Sequence, residues 1–136
     1  MVLDTNVLVA GVRSPKGASA EILRRTLTGR LRVSCSVPLF LEYEAVLSRP
    51  AQLNAAGISV RDVTNLLDVL AGVIHPVEIQ FLWRPQLRDP GDDMVLEAAV
   101  NGQASVIISF NQRDFMPQAL NFGLAVLTPA QFFQGV

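Results

Sequence analysis

Short apolar runs of strand length alternate with segments of helical spacing along the chain, which confines it to the α/β class with a mostly parallel sheet. Met1–Asp4 reads as a strand that ends at an acid, and Thr5–Val12 turns at once into a helix closed near Ser14-Pro15. Ser19–Thr28 predicts a helix stopped by Gly29, and Leu31–Cys35 a second strand. Ser36 caps the next helix, with Pro38 in its first turn and Arg49-Pro50 at its end. Ser59 and Asp62 form a capping-box pattern before Val60, Val63, Leu66, Leu67, Leu70 and Val73 at helical spacing. Between Pro76 and Pro90 a short edge strand is expected around Ile79–Trp83. Asp92–Val100 predicts a helix stopped by Asn101-Gly102. Ser105–Ser109 and Leu124–Leu127 are strands, and Thr128-Pro129-Ala130-Gln131 opens a last short helix. No repeat or linker interrupts this order, so residues 1–136 are expected to form one domain.

Composition narrows the function classes. The chain has 136 residues, half of them hydrophobic, and one cysteine, Cys35, which excludes an internal disulfide and a cysteine-rich zinc site. No apolar run reaches the roughly 18–20 residues of a membrane span. Asp4 lies in the first apolar stretch and no basic residue precedes Arg13, so the start does not read as a signal peptide, and a cytoplasmic location is expected. The net charge of −1 hides an asymmetry: residues 1–61 carry eight basic groups against four acids, and residues 62–136 carry eight acids against three arginines. Ten of the eleven basic residues are arginine, which suits bidentate contact with phosphate, although a solvated basic face is the plainer reading.

In a parallel sheet, ligands collect at the carboxyl ends of the strands. Two predicted strands end there in polar groups, Leu3-Asp4-Thr5-Asn6 and Ile108-Ser109-Phe110-Asn111. Asp4 also suits a helix N-cap. Asp89, Asp92, Asp93 and Glu97 fall within nine positions, and Asp93 and Glu97 share a helix face where like charges repel. A cation would relieve that crowding, as would exposure to water. Glu42 and Glu44 both border apolar positions of one helix, and periodicity does not choose between them. Asp114 follows the Ser105–Ser109 strand by five residues. His75, the one histidine, precedes Pro76 at a predicted helix end and suits a partner for the helix dipole there. It cannot alone supply a histidine-rich zinc site, and no glycine-rich phosphate loop is present. Acids without histidine or thiol partners point to hard cations, Mg²⁺ or Mn²⁺, in a cage able to promote phosphodiester hydrolysis.

Several segments, in order, resemble one family. Val2-Leu3-Asp4-Thr5-Asn6-Val7-Leu8 resembles the opening of PIN-domain nucleases. Leu41-Glu42-Tyr43-Glu44-Ala45-Val46-Leu47-Ser48-Arg49-Pro50 resembles a helix of their branch found as toxins of toxin–antitoxin systems. Arg88-Asp89-Pro90-Gly91-Asp92-Asp93-Met94-Val95-Leu96-Glu97-Ala98-Ala99 is similar to the third acidic segment of that branch, and Ile107-Ile108-Ser109-Phe110-Asn111-Gln112-Arg113-Asp114-Phe115 to the fourth. Leu127-Thr128-Pro129-Ala130-Gln131-Phe132-Phe133 resembles the family's close.

The resemblance implies a three-layer α/β/α sandwich with a mostly parallel central sheet, and a metal-dependent endoribonuclease. Its first acid corresponds to Asp4, its helical glutamate to Glu42 and its third acid to Asp93. Many relatives carry an aspartate where this chain has Asn111, with a further acid three residues on, matched here by Asp114. By the same resemblance, Asp4, Asp93 and Asp114 would hold Mg²⁺ or Mn²⁺. Glu42 would position or deprotonate the attacking water or hold a second ion, and cleavage would leave a 5′-phosphate. Thr5, Asn6, Ser109 and Asn111 would orient these groups by hydrogen bonds. Arg13, Lys16, Arg24 and Arg25 would draw RNA phosphates towards the acids, and Arg88 and Arg113 would offset the charge of the site. A cognate antitoxin protein and a homodimer are the expected partners, with no membrane.

Rival readings fit less well. A phosphatase of the haloacid dehalogenase type expects a second aspartate where Asn6 stands. A response-regulator receiver expects a late lysine, and Lys16 is the one lysine. A degenerate PIN fold acting as an RNA-binding or protein-interaction module is the non-catalytic alternative, carried by Asn111.

Overall fold

The computed structural model describes residues 1–80 and 87–135. Its strands are only two or three residues long: β1 (Val2–Leu3), β2 (Ser34–Ser36), β3 (His75–Val77), β4 (Val106–Ile108) and β5 (Ala125–Leu127). One sheet has the order β1-β4-β5, with Val2 opposite Ile107 and Ile107 opposite Val126. β2 and β3 form a second pair, with Ser34 opposite His75. Every pair is parallel. The Ser34 N–H donates to the Met1 carbonyl at 2.8 Å, so β2 lies beside β1 and the strands follow in space as β3-β2-β1-β4-β5. Strand order therefore reverses at β1, and the crevice at its carboxyl end is where such sheets place ligands.

Helices complete a three-layer α/β/α arrangement: α1 (Thr5–Arg13), α2 (Ala18–Leu27), α3 (Val37–Leu47), α4 (Pro50–Ala56), α5 (Val60–Val73), α6 (Pro90–Asn101), α7 (Gln118–Asn121) and α8 (Pro129–Gln134), with a 3₁₀ turn at Gln112–Phe115. The caps act as their residue types require. Ser36 Oγ accepts from Leu39 N–H at 3.3 Å, and both capping boxes, Ser59 with Asp62 and Thr128 with Gln131, are reciprocal. Val2, Leu3, Leu39, Leu47, Ile107 and Ile108 form the centre of the core with Tyr43. The buried Tyr43 hydroxyl donates to the Leu3 carbonyl at 2.5 Å, tying α3 to the strand that ends at Asp4. Tyr43→Phe removes this bond in a dry setting. We expect it to lower unfolding free energy by about 1–2 kcal/mol in urea titration, and no measurable loss would show the bond to be dispensable.

Four local features differ from the sequence expectation. Pro50 does not only end α3; it is the first residue of α4, the position where a missing N–H costs nothing, and Gly57 closes that helix with φ of +68°. His75 stands one residue past Ile74, the C-cap of α5, but it is also part of a strand. It opens β3, its N–H donating to the Val33 carbonyl at 2.8 Å. Pro76 in that strand is tolerated because the strand stands at the edge of the sheet. The edge strand expected at Ile79–Trp83 is absent at residues 79 and 80, and its remainder lies outside the described residues. Helix α6 begins at Pro90, capped by Asp89, whose Oδ1 accepts from Gly91 N–H at 2.8 Å.

Candidate active site

The carboxyl ends of β1 and β4 meet through side chains. Asp4 stands at the N-cap position of α1, yet its carboxylate makes no capping hydrogen bond. Instead its Oδ2 accepts from the Ser109 hydroxyl at 2.6 Å, across 105 positions of sequence. The Ser109 Oγ in turn accepts from the Asn111 N–H at 3.0 Å. Burial pushes the Asp4 carboxyl above its ordinary pKa, aided by the charge of Asp89, while the Ser109 hydroxyl and the amides of Thr5 and Asn6 pull the other way.

Asp92 is the most perturbed acid of the site. Burial raises its pKa to about 7, reinforced by the like charges of Asp4, Asp89, Asp114 and Asp93. The structure thus gathers Asp4, Asp114 and the start of α6 around Asp92. Asp93 belongs to the same acidic group, but its Oδ1 accepts from the Leu87 N–H at 3.0 Å and so holds the segment entering the helix. Both acids are buried in the first turn of α6, Asp93 the more deeply, so the difference lies in what each faces: Asp93 meets the Leu87 amide, and Asp92 faces the cleft that Asp89 and Asp114 also line.

On α3 the two glutamates separate. Glu44 is exposed, whereas Glu42 is half-buried beside Leu39, Tyr43 and Val46. Its Oε1 is 4.0 Å from the point where a β-carbon on Gly91 would stand, beside the cap of α6. Glu42→Gln is therefore expected to lower turnover by at least about 100-fold, with Glu44→Gln within a few-fold of wild type. Equal losses in steady-state cleavage assays would place the other face of α3 on the site.

A cleft of about 730 Å³ opens at Asp92, lined by Asp89, Asp92, Asp114, Arg88, Arg113 and Gln118 among others. Among the described residues neither Arg88 nor Arg113 forms an ion pair, although both share the cleft with carboxylates. Three of the four basic residues expected to draw RNA, Arg13, Arg24 and Arg25, are engaged elsewhere. Arg24 and Arg25 both pair with Glu21 at 2.9 Å, and Arg25 lies over the Phe133 ring at 4.8 Å. Arg24 also donates to the Pro15 carbonyl, and Arg13 to Gln52 Oε1. Among the described residues, Lys16 is exposed and forms no ion pair.

Among the described residues no three histidine, cysteine, aspartate or glutamate side chains are already drawn together tightly enough to hold a metal ion. The donor chemistry nonetheless fits a hard divalent cation: oxygen atoms only, crowded until one carboxyl resists ionisation. Asn6 Oδ1, on the second residue of α1 and two positions after Asp4, is buried and has no hydrogen-bond partner among the described residues.

The profile of the PIN domain family matches residues 1–113, and the chain belongs to that family. Curated proteins give no significant match. PIN domains are generally nucleases that use divalent metal ions. The matched span takes in Asp4, Glu42, Asp92, Asp93, Ser109 and Asn111 and ends one residue before Asp114. No helix among the described residues is long and apolar enough to cross a membrane.

Proposed function

We propose that this chain is a metal-dependent endoribonuclease whose centre is Asp4, Asp92 and Asp114, with Glu42 beside them. The observation that carries the reading is the convergence of these acids on Asp92 at the point where strand order reverses. Asp4, Asp92 and Asp114 would hold Mg²⁺ or Mn²⁺, with Asp93 supporting the helix start and Ser109 fixing the orientation of Asp4. A cation held there would supply positive charge at the phosphoryl oxygens and acidify an attacking water. Glu42 would accept a proton from the attacking water, and Arg88 and Arg113, which line the same cleft, would receive the phosphodiester. Hydrolysis in line leaves a 5′-phosphate.

The test is cleavage of varied single-stranded RNAs by the purified protein in Mg²⁺ and Mn²⁺, with EDTA as control. Intact RNA in both metals would leave the fold as a binding module. Arg88→Ala and Arg113→Ala are each expected to raise KM several-fold and to reduce the slope of log affinity against log salt by about 0.7, the contribution of one phosphate on a single strand. Unchanged slopes would remove them from the phosphate path.

The toxin role is carried by the resemblance of α3 and α6 to one branch of the family. It predicts that induced expression arrests growth of a bacterial host and that Asp4→Asn relieves the arrest. It also predicts a neighbouring reading frame that encodes a DNA-binding fold with a tail for this protein. Undisturbed growth with active enzyme in the cells would separate the nuclease from the toxin.

A further inference from the structure

A second depression lies on the other side of the segment that carries Asp114. It is an apolar groove of about 420 Å³, lined by Ala10, Ser14, Ala18, Phe110, Thr128 and Pro129 among others. Phe110 is its one aromatic wall and is 48% exposed, although the residue before it is fully buried. Its backbone is fixed on both sides, because Ser109 Oγ bonds Asp4 in one direction and the Asn111 N–H in the other. Residues 110–114 thus form a partition: Phe110 faces the groove, while Arg113 and Asp114 face the acidic cleft.

We infer that the groove receives a nucleobase of the RNA strand flanking the scissile phosphate, stacked on Phe110, with Lys16 meeting the adjoining backbone. This rests on the nuclease reading above. Three observations favour a base as the occupant. The first is continuity: Ala10 lies six residues beyond Asp4 on α1, about 9 Å of helix, so a strand crossing the partition passes directly from groove to acids. The second is shape and chemistry. The walls are an exposed aromatic face and small residues, and no acidic side chain lines them, which suits a π-face better than a charged group. The third is charge. Lys16 stands on the loop between Ser14 and Gly17, two lining residues, and among the described residues it has no ion pair. That loop is pinned by Arg24, which donates to the Pro15 carbonyl at 2.9 Å while pairing with Glu21.

The experiment uses the whole chain carrying Asp4→Asn, so that RNA is bound without cleavage, and short single-stranded RNAs with 2-aminopurine at successive positions. Fluorescence should be quenched strongly at one position. Adding Phe110→Ala should abolish that quenching and weaken binding about tenfold or more, and Phe110→Trp should restore both. Lys16→Ala should lower the salt slope by about 0.7 and leave the quenching in place. In the otherwise unaltered enzyme, Phe110→Ala should raise KM and leave kcat within a few-fold. Equal affinity and quenching with and without Phe110→Ala overturn the base site and assign the groove to a protein partner, whatever the enzyme cleaves. Phe110-dependent quenching in a protein that cleaves no RNA upholds the base site and rejects the nuclease reading instead. Failure of the Asp4→Asn protein to bind any of the RNAs overturns the site outright. Circular dichroism of the Phe110→Ala protein checks its fold, and Phe110→Leu, which keeps the apolar surface without the ring, should bind as weakly as the alanine variant; tight binding by Phe110→Leu would also overturn stacking.

Discussion

Asp92→Asn is expected to reduce RNA cleavage by about 10³-fold or more, with Asp4→Asn as severe. Asp93→Asn should cost only about 10- to 100-fold, the range for a group that acts by supporting another. The distinction follows from what each oxygen does. Asp92 lies among four like charges that press on it, so a neutral amide there removes the charge that a cation would answer. Asp93 accepts the Leu87 N–H through one oxygen, and an asparagine carbonyl accepts it as well. Initial rates over a range of Mg²⁺ concentrations decide the order. If Asp93→Asn is the crippled variant and Asp92→Asn is not, the third acid is the one the family resemblance first indicated. Undiminished cleavage in both Asp4→Asn and Asp92→Asn would reject the site altogether.

The second large effect needs no substrate. The metal-free protein should melt at a lower temperature at pH 8 than at pH 5.5, and Asp92→Asn should flatten that dependence. The folded carboxyl of Asp92 titrates near 7 against 3.8 for an unperturbed aspartate. The folded state therefore holds the proton more tightly, and the associated stability is complete below the lower value and lost as pH rises through 7. In a dry site the whole difference would correspond to about 4 kcal/mol, of which about half is lost between pH 5.5 and 8; water at the open mouth of the cleft screens that half to about 1 kcal/mol, or a few degrees in Tm. Asp4, also raised, acts in the same sense. Glu21 and Asp62 are lowered by their partners and act in the opposite sense, but their stabilisation is lost only below about pH 4.5, outside this window. A divalent cation binds the ionised, folded site, so millimolar Mg²⁺ should raise Tm chiefly at pH 8, by mass action. A pH-independent melt that ignores Mg²⁺ and Mn²⁺ would contradict the crowding at Asp92.

What could be read from the sequence was whatever rests on local rules. Ser36, Ser59 and Thr128 announce their helices because a capping side chain needs only the next three residues. The acid at the end of β1 and the serine at the end of β4 are legible because short apolar runs stop at them. Adjacent Asp92 and Asp93 were not separable, since the sequence does not show that Asp93 meets the Leu87 amide while Asp92 lines the cleft. The strand at His75–Val77 was hidden by Pro76, which argues against a strand until its edge position is known. Arg24 and Arg25 look like free cations in a list of charges; only the fold reveals that Glu21 occupies both. The depression beside Phe110 has no sequence signature, because its walls come from α1, the loop before α2, the end of β4 and the start of α8.

The bond between Ser109 and Asp4 also bears on how the protein comes into being. Asp4 is made 105 positions before Ser109. The parallel partner of β1 is β4, and no nearer segment supplies Ile107 and Ile108. While the chain is still being translated, α1, α3 and β2 can form beside β1, but the first acid lacks β4 on its other side and the hydroxyl that orients it. Asp92 and Asp114 are likewise late arrivals. A growing chain on the ribosome therefore carries separated carboxylates, which come together only after synthesis has passed Asp114.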